Sequence, residues 1–303
     1  MRVFVTGASG FIGSAVSDEL IAAGHQVIGL ARSDASAHAL AEAGREVHRG
    51  DLTDLDSLRA GAADADGVIH LAFVHDFTDF AKSVETDRIV IEALGDALAG
   101  SERPLVVAAG IGGLPRGTTE DDAVPAGYPR LSEPTALQQV SKGVRASVVR
   151  LPPSVHGTGD HGFVPELISI ARARGVSGFP ADGSNTWSAV HREDAARVFR
   201  LALEAAQAGS RWHAVADEGI AVRDIAQTIG RGLGLPTVSI PRDETMSHFG
   251  WIGAFFTLDA KVPSTLTRKR LGWEPTGPGL LADLDAGHYF DPTVGQGLET
   301  VTG

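Results

Sequence analysis

Thr6-Gly7-Ala8-Ser9-Gly10-Phe11-Ile12-Gly13 carries more structural information than any other eight residues of this chain. Before it, Arg2-Val3-Phe4-Val5-Thr6 is rich in β-forming side chains. After it, Phe11, Ile12, Ala15, Val16 and Leu20 recur at helical spacing as far as Gly24. The reading is strand, tight turn, helix. Each glycine has a physical task in that setting: Gly7 permits the turn, Gly10 lets backbone approach a diphosphate, and Gly13 lets the helix pack on the strand. Unpaired amides and the positive end of the helix dipole then suit phosphate, with Ser9, Phe11 and Ile12 in the same loop. An apolar run at residues 26–31 closes a right-handed βαβ crossover. That context turns a weak glycine pattern into a dinucleotide-binding one.

Outward from there the alternation continues, with helices expected near 35–43, 55–62, 80–98 and 133–142, and strands near 46–49, 67–72, 104–109 and 146–151. Residues 110–128 are rich in Gly, Pro and Asp and read as a long functional loop. Beyond Pro152-Pro153 the pattern weakens, with helices near 164–174, 194–206, 222–233 and 264–271. No fixed-period repeat is visible. The expected fold is α/β, a doubly wound parallel sheet of order 3-2-1-4-5-6. Residues 1–151 form its dinucleotide-binding domain, and 152–303 a smaller substrate-side region with some return to the main sheet.

Composition narrows the function. The chain has 303 residues and a formal net charge of −12, which argues against nucleic-acid or anionic-membrane surfaces and for small-molecule chemistry. Glycine stands at 37, about 12% against roughly 7% in an average chain, as turns and close approaches require. Cysteine is absent, so disulfides, thiolate nucleophiles and Cys-type zinc sites are excluded. The most apolar stretch, 251–258, is far below the ~20 residues of a membrane helix, and nothing near Met1 reads as a secretory leader. A soluble, cytoplasmic protein is expected.

The motif Thr6-Gly7-x-x-Gly10-Phe11-Ile12-Gly13 resembles that of the short-chain dehydrogenase/reductase superfamily, in its extended or atypical, epimerase/dehydratase-like branch. Gly50-Asp51-Leu52, His70-Leu71-Ala72, Arg150-Leu151-Pro152-Pro153-Ser154-Val155-His156-Gly157, Val190-His191-Arg192-Glu193-Asp194 and Leu271-Gly272-Trp273-Glu274-Pro275 resemble its other landmarks. The resemblance spans about residues 1–290 and implies a Rossmann-type fold. It also implies that Asp51 and Leu52 meet adenine, that Leu71 and Ala72 line the ribose and phosphate path, and that Pro153 and Val155 sit by the nicotinamide. Dimers paired through the helices at 80–98 and 133–142 are a further implication. Charge selects the cofactor. An acid ending the second strand would bind the ribose 2′-hydroxyl of NAD, but Leu30-Ala31-Arg32-Ser33 ends in a guanidinium and a hydroxyl that suit a 2′-phosphate. NADP(H) is preferred over NAD(H), which the site still admits.

The family's usual catalytic signature is missing. A Tyr four residues before a Lys puts an ammonium beside the phenol, lowers its pKa and readies it as an acid. Here Tyr128 is followed at that distance by Ser132 and Tyr289 by Thr293, while Lys82, Lys142, Lys261 and Lys269 are preceded by Thr78, Gln138, Thr257 and Thr265. Alanine occupies the end of the fifth strand, where the family has a hydroxyl. Tyr128 is the candidate substitute acid, with Ser132 or water as others. His156, Trp187 and His191 are candidate substrate contacts. His156, Asp160 and His161 invite thoughts of a proton relay, but the intervening glycines read as a loop, and no metal is expected. The aromatic stretch His248-Phe249-Gly250-Trp251 with Phe255-Phe256 reads as core or contact before substrate pocket.

Two functions follow. One is an atypical NADP(H)-dependent oxidoreductase acting on a small carbonyl or hydroxyl compound. The other is a non-catalytic NADP(H) sensor resembling the NmrA-like regulators.

Overall fold

The computed structural model describes residues 1–76, 79–205 and 207–291. Residue 206, where the seventh helix was expected to end, and the tail of the second region from 292 lie outside them. Strands and helices alternate through the first half: β1 (Arg2–Thr6), α1 (Phe11–Ala22), β2 (Gln26–Ala31), α2 (Asp34–Glu42), β3 (Glu46–Arg49), α3 (Leu55–Ala63), β4 (Gly67–His70), α4 (Phe80–Leu98), β5 (Pro104–Gly110), α5 (Ser132–Gln138) and β6 (Arg145–Leu151). Two expected elements come out shorter. β4 stops at His70: the Leu71 amide is shared between the carbonyl oxygen and Oγ1 of Thr6, both at 3.2 Å, and the Ala72 amide turns to Oγ1 at 3.3 Å. The helix expected at 133–142 ends at Gln138, and Gln139–Lys142 tightens into a 3₁₀ turn closed by Gly143. The segment between β5 and α5 carries no helix or strand.

The second half is built from shorter pieces: β7 (Ser154–His156), α6 (Phe163–Arg174), β8 (Ser177–Pro180), β9 (Thr186–His191), α7 (Arg192–Ala205), β10 (Arg211–His213), β11 (Asp217–Ala221), α8 (Val222–Leu233), β12 (Thr237–Ile240), α9 (Thr245–Phe249), α10 (Ile252–Phe256), α11 (Thr265–Leu271) and α12 (Leu280–Asp285). Seven strands pair in parallel in the order β10-β6-β5-β4-β1-β2-β3. This is the doubly wound order, extended at one edge by a strand from the second half. Two small sheets, β11-β9-β7 and β12-β8, lie outside it.

Both faces of the main sheet are covered at its centre, which is why β1, β2, β4 and β5 read as mainly apolar runs. On one face α1 packs on α7 over Val5, Ile69, Val106 and Val149. On the other, α3 and α4 close over Phe4, Val68, Leu105 and Val107. A separate core in the second half gathers Trp187, Phe249 and Phe256 around α6 and α8. The order of strands reverses between β1 and β4, so a crevice opens beyond their carboxyl ends.

Candidate active site

The loop from β1 to α1 is shaped by its lack of side chains. Gly7 has φ of +74°, and a Cβ there would lie 2.9 Å from the Ala72 amide nitrogen. At Gly13 a Cβ would lie 1.9 Å from the carbonyl oxygen of Gly7, so only glycine allows α1 to rest on the turn. Gly10 is the N-cap, and its amide donates to the Gly7 carbonyl at 2.9 Å. No side chain caps α1 and its first turn holds no acid, so the helix start is left for an anion. The residues present therefore fit the diphosphate of a dinucleotide. Ser9 and Gly10 are exposed at the mouth of this cradle, while Phe11 and Ile12 are half-buried.

The other expected cofactor residues follow neighbouring strands at the same sheet edge. Ser33 caps α2, accepting the Ser36 amide at 3.1 Å. Arg32 beside it is exposed, with no hydrogen bond or ion pair among the described residues. Arg49, which sequence reasoning passed over, ends β3 here, donates to the Ser33 carbonyl at 2.7 Å and ion-pairs with Asp34. Its signal was its place, one strand over from Arg32. Asp51 accepts the amide and hydroxyl of Thr53 at 2.8 and 2.7 Å. Partial burial opposes its ionisation, but those bonds and the Arg32 charge hold the carboxyl below its ordinary range. Leu52, Leu71 and Ala72 are half-buried there, Pro153 follows β6, and Val155 lies in β7 against the main core.

Beneath the carboxyl ends of β1 and β4 runs a buried polar chain. Thr6 Oγ1 lies 2.7 Å from His70 Nδ1, and His70 Nε2 lies 3.1 Å from Asp87 Oδ1. Ser132 donates to the other Asp87 oxygen, and Arg130 Nε–H donates to Ser132 Oγ at 2.8 Å. Burial works against the Asp87 anion, yet the His70 bond, with the charges of His70 and Arg130, keeps its pKa depressed. Tyr128 Oη lies 3.0 and 2.7 Å from the carbonyl oxygens of Gly110 and Gly112, to which its proton is directed. Burial pushes its pKa up to about 12.

Comparison with known proteins agrees with this geometry. The model of the NAD dependent epimerase/dehydratase family matches residues 3–92, which hold the cradle and the first four strands. The chain is 49% identical over 295 residues to an uncharacterized protein of Schizosaccharomyces pombe, covering 96% of this chain and 100% of that one. It is 47% identical over 301 residues to one of Saccharomyces cerevisiae, at 96% and 100% coverage. This chain belongs to the NAD-dependent epimerase/dehydratase family. Among solved structures, a Streptomyces venezuelae dTDP-glucose 4,6-dehydratase with NAD and TYD bound shares the fold, with a TM-score of 0.75 at 20% identity over 96% of this chain and 98% of that one.

As a member of the epimerase/dehydratase family, and so of the extended short-chain dehydrogenase/reductases, the chain departs from pattern around the fifth strand. No lysine stands four residues beyond Tyr128, and Lys142 is engaged with Asp96 at 2.6 Å. The C-terminal candidates also fall differently from expectation. Trp187 is 0% exposed, its indole N–H bonded to the Phe255 carbonyl at 3.1 Å, so it is a core residue and no cleft wall. His156 is likewise fully buried, 2.8 Å from Asp283 and edge-on to His191 at 5.5 Å. Burial and neighbouring His156 lower the pKa of half-buried His191. Asp160 takes a hydrogen bond from Tyr289 at 2.9 Å, whereas His161 packs on the Phe11 ring. The three residues His156, Asp160 and His161 therefore have separate partners and form no relay. Among the described residues no group of three or more His, Asp or Glu side chains is placed to hold a metal ion. Phe249 and Phe256 are core, and Trp251 is partly exposed.

Proposed function

We propose that this chain is an NADP(H)-dependent oxidoreductase that acts on a small carbonyl or hydroxyl compound. The observation that carries the cofactor preference is the exposed Arg32 guanidinium, with no hydrogen bond or ion pair among the described residues, at the end of β2, where residues 31–33 offer no carboxylate. Asp34, the nearest acid in sequence, is engaged by Arg49. Arg49 neutralises Asp34, which leaves the exposed Arg32 guanidinium beside Asp51 as a donor that suits a 2′-phosphate.

The residues divide the work simply. Backbone amides at the start of α1 hold the diphosphate, Asp51 accepts from the adenine amino group, and Leu71 and Ala72 line the path to the ribose. When bound, the cofactor supplies hydride exchange at its nicotinamide ring. Positioning a reactant there is worth ~7 to 11 kcal/mol, against ~10² to 10⁴ in rate for a lost general acid, so chemistry survives the missing signature.

The test is fluorescence titration of NADPH and NADH against the wild-type chain and Arg32→Ala. A lost charge-assisted hydrogen bond of ~1.5 to 3 kcal/mol should weaken NADPH roughly 10- to 100-fold and leave NADH nearly unchanged. Equal losses would remove the assigned role. A second reading, a cofactor sensor without turnover, is favoured by one observation, the Tyr128 hydroxyl directed at backbone carbonyls with no lysine beside it. NADPH consumption against aldehydes, ketones and quinones separates the two.

A further inference from the structure

We propose that Arg130 is a catalytic residue of this chain, its guanidinium holding the substrate oxygen as that oxygen becomes negative, in place of the absent tyrosine and lysine. The inference rests on the carbonyl-reducing reading above. Its location comes first. Arg130 lies over the carboxyl ends of β4 and β5, beside the crevice where the strand order reverses. Its guanidinium carbon is 4.3 Å from the centre of the Phe73 ring, three residues beyond β4. Its Nη2 lies 3.5 Å from the Ala108 carbonyl in β5, and a Cβ on Gly110 would lie 3.9 Å from Nη1. That is the end of the strand on which the family carries its catalytic hydroxyl and this chain carries alanine.

Orientation comes second. The Nε–H donates to Ser132 Oγ, Ser132 donates to Asp87, and Asp87 is tied through His70 to Thr6, the residue before the glycine cradle. The stacking on Phe73 fixes the plane from the other side. What remains is Nη1, which has no hydrogen-bond partner among the described residues, and no carboxylate there stands within ion-pair distance of the guanidinium. A half-buried cation with free N–H groups, fixed at a site where charge develops, needs no reorganisation to stabilise an oxyanion. Burial pulls its pKa below the ordinary arginine value, but a guanidinium stays protonated at neutral pH.

The carbonyl carbon takes hydride from the reduced nicotinamide ring, the π pair of the C=O bond moves onto oxygen, and the two Nη1–H groups bond to that oxygen. Solvent water then gives it a proton, leaving hydroxide to the bulk. Arg130 stabilises charge and surrenders no proton.

The experiment uses the full chain as wild type, Arg130→Ala and Arg130→Lys. It measures NADPH binding by fluorescence, melting temperature, and kcat and KM on the best carbonyl substrate of the panel. Expected are unchanged NADPH binding, a melting temperature lowered by only a few degrees through the lost Ser132 bond and Phe73 stacking, and a fall in kcat of ~10² to 10³ in Arg130→Ala. Added guanidinium chloride should restore part of that kcat and none to the wild type. A wild type that turns over while Arg130→Ala keeps its kcat overturns the role and leaves the reductase reading standing. Loss of NADPH binding and melting temperature in both variants, without guanidinium rescue, makes the residue structural and also overturns it. A wild type that binds NADPH but reduces nothing sinks the reductase reading, and this proposal with it.

Discussion

At Tyr128 the sequence and the structure pull in different directions. As a lone tyrosine near the right place it is the natural substitute acid, yet its hydroxyl is directed at the carbonyls of Gly110 and Gly112, and burial raises its pKa to about 12. At neutral pH it stays protonated and bridges two backbone groups of the long loop. Tyr128→Phe should therefore lower stability by about 1 to 2 kcal/mol, the cost of unpaired half-buried carbonyls, and change kcat little. A fall in kcat beyond about a hundredfold at an unchanged melting temperature would restore Tyr128 as the acid. The glycine cradle was legible in the sequence because its demands are local: a positive φ at Gly7 and a contact from Gly13 to Gly7 arise within seven residues. Arg130 was not. Its position depends on a ring 57 residues earlier and on a carboxylate reached through Ser132, and no spacing rule encodes either.

Among the elements, β6 and α5 are joined by a device that sequence alone did not reveal. Arg150 in β6 is 0% exposed and grips both oxygens of Glu133 in α5, at 2.7 and 2.8 Å, while Arg211 of β10 binds Glu133 at 2.6 Å. Arg150 also reaches the Asp122 carbonyl at 2.7 Å, so the same cluster anchors the loop after β5. Burial opposes the Glu133 anion, but Arg150 and then Arg211 more than offset it, and its pKa lies below the ordinary glutamate value. Stability from this carboxylate is complete above its unfolded pKa, about 4.3, and is lost as pH falls through the lower folded value. Glu133→Gln should cost about 3 to 5 kcal/mol at pH 7, because Arg150 keeps its burial without its partner. Melting curves from pH 7 to 3 should show that gap closing in acid, and a gap independent of pH would exclude the ion pair as its source. The alternation of the first half was legible because the central strands β1, β4 and β5 are buried on both faces as apolar runs and helices such as α4 turn one apolar face inward. The strands β7, β8, β9, β11 and β12, three to six residues each in small two- and three-stranded sheets, offered too short a period to read.

For the molecule as a whole, the family was accessible from the first hundred residues, where the family model also matches, and the doubly wound order from the alternation as far as residue 151. The second half is harder because its shape follows from packing on the first. Helix α7 lies on α1, β10 extends the main sheet beside β6, and Arg211 of β10 completes the Glu133 cluster. A gene cut after residue 151 would therefore yield a fragment whose sheet ends in the naked β6 and whose α1 face is stripped of cover, a surface prone to strand-to-strand self-association. Expressed singly, such a fragment should form insoluble material, while co-expression with the remainder should recover soluble protein by complementation. A soluble, monomeric fragment with native-like nucleotide affinity would mean the returning segments are ornament and not scaffold.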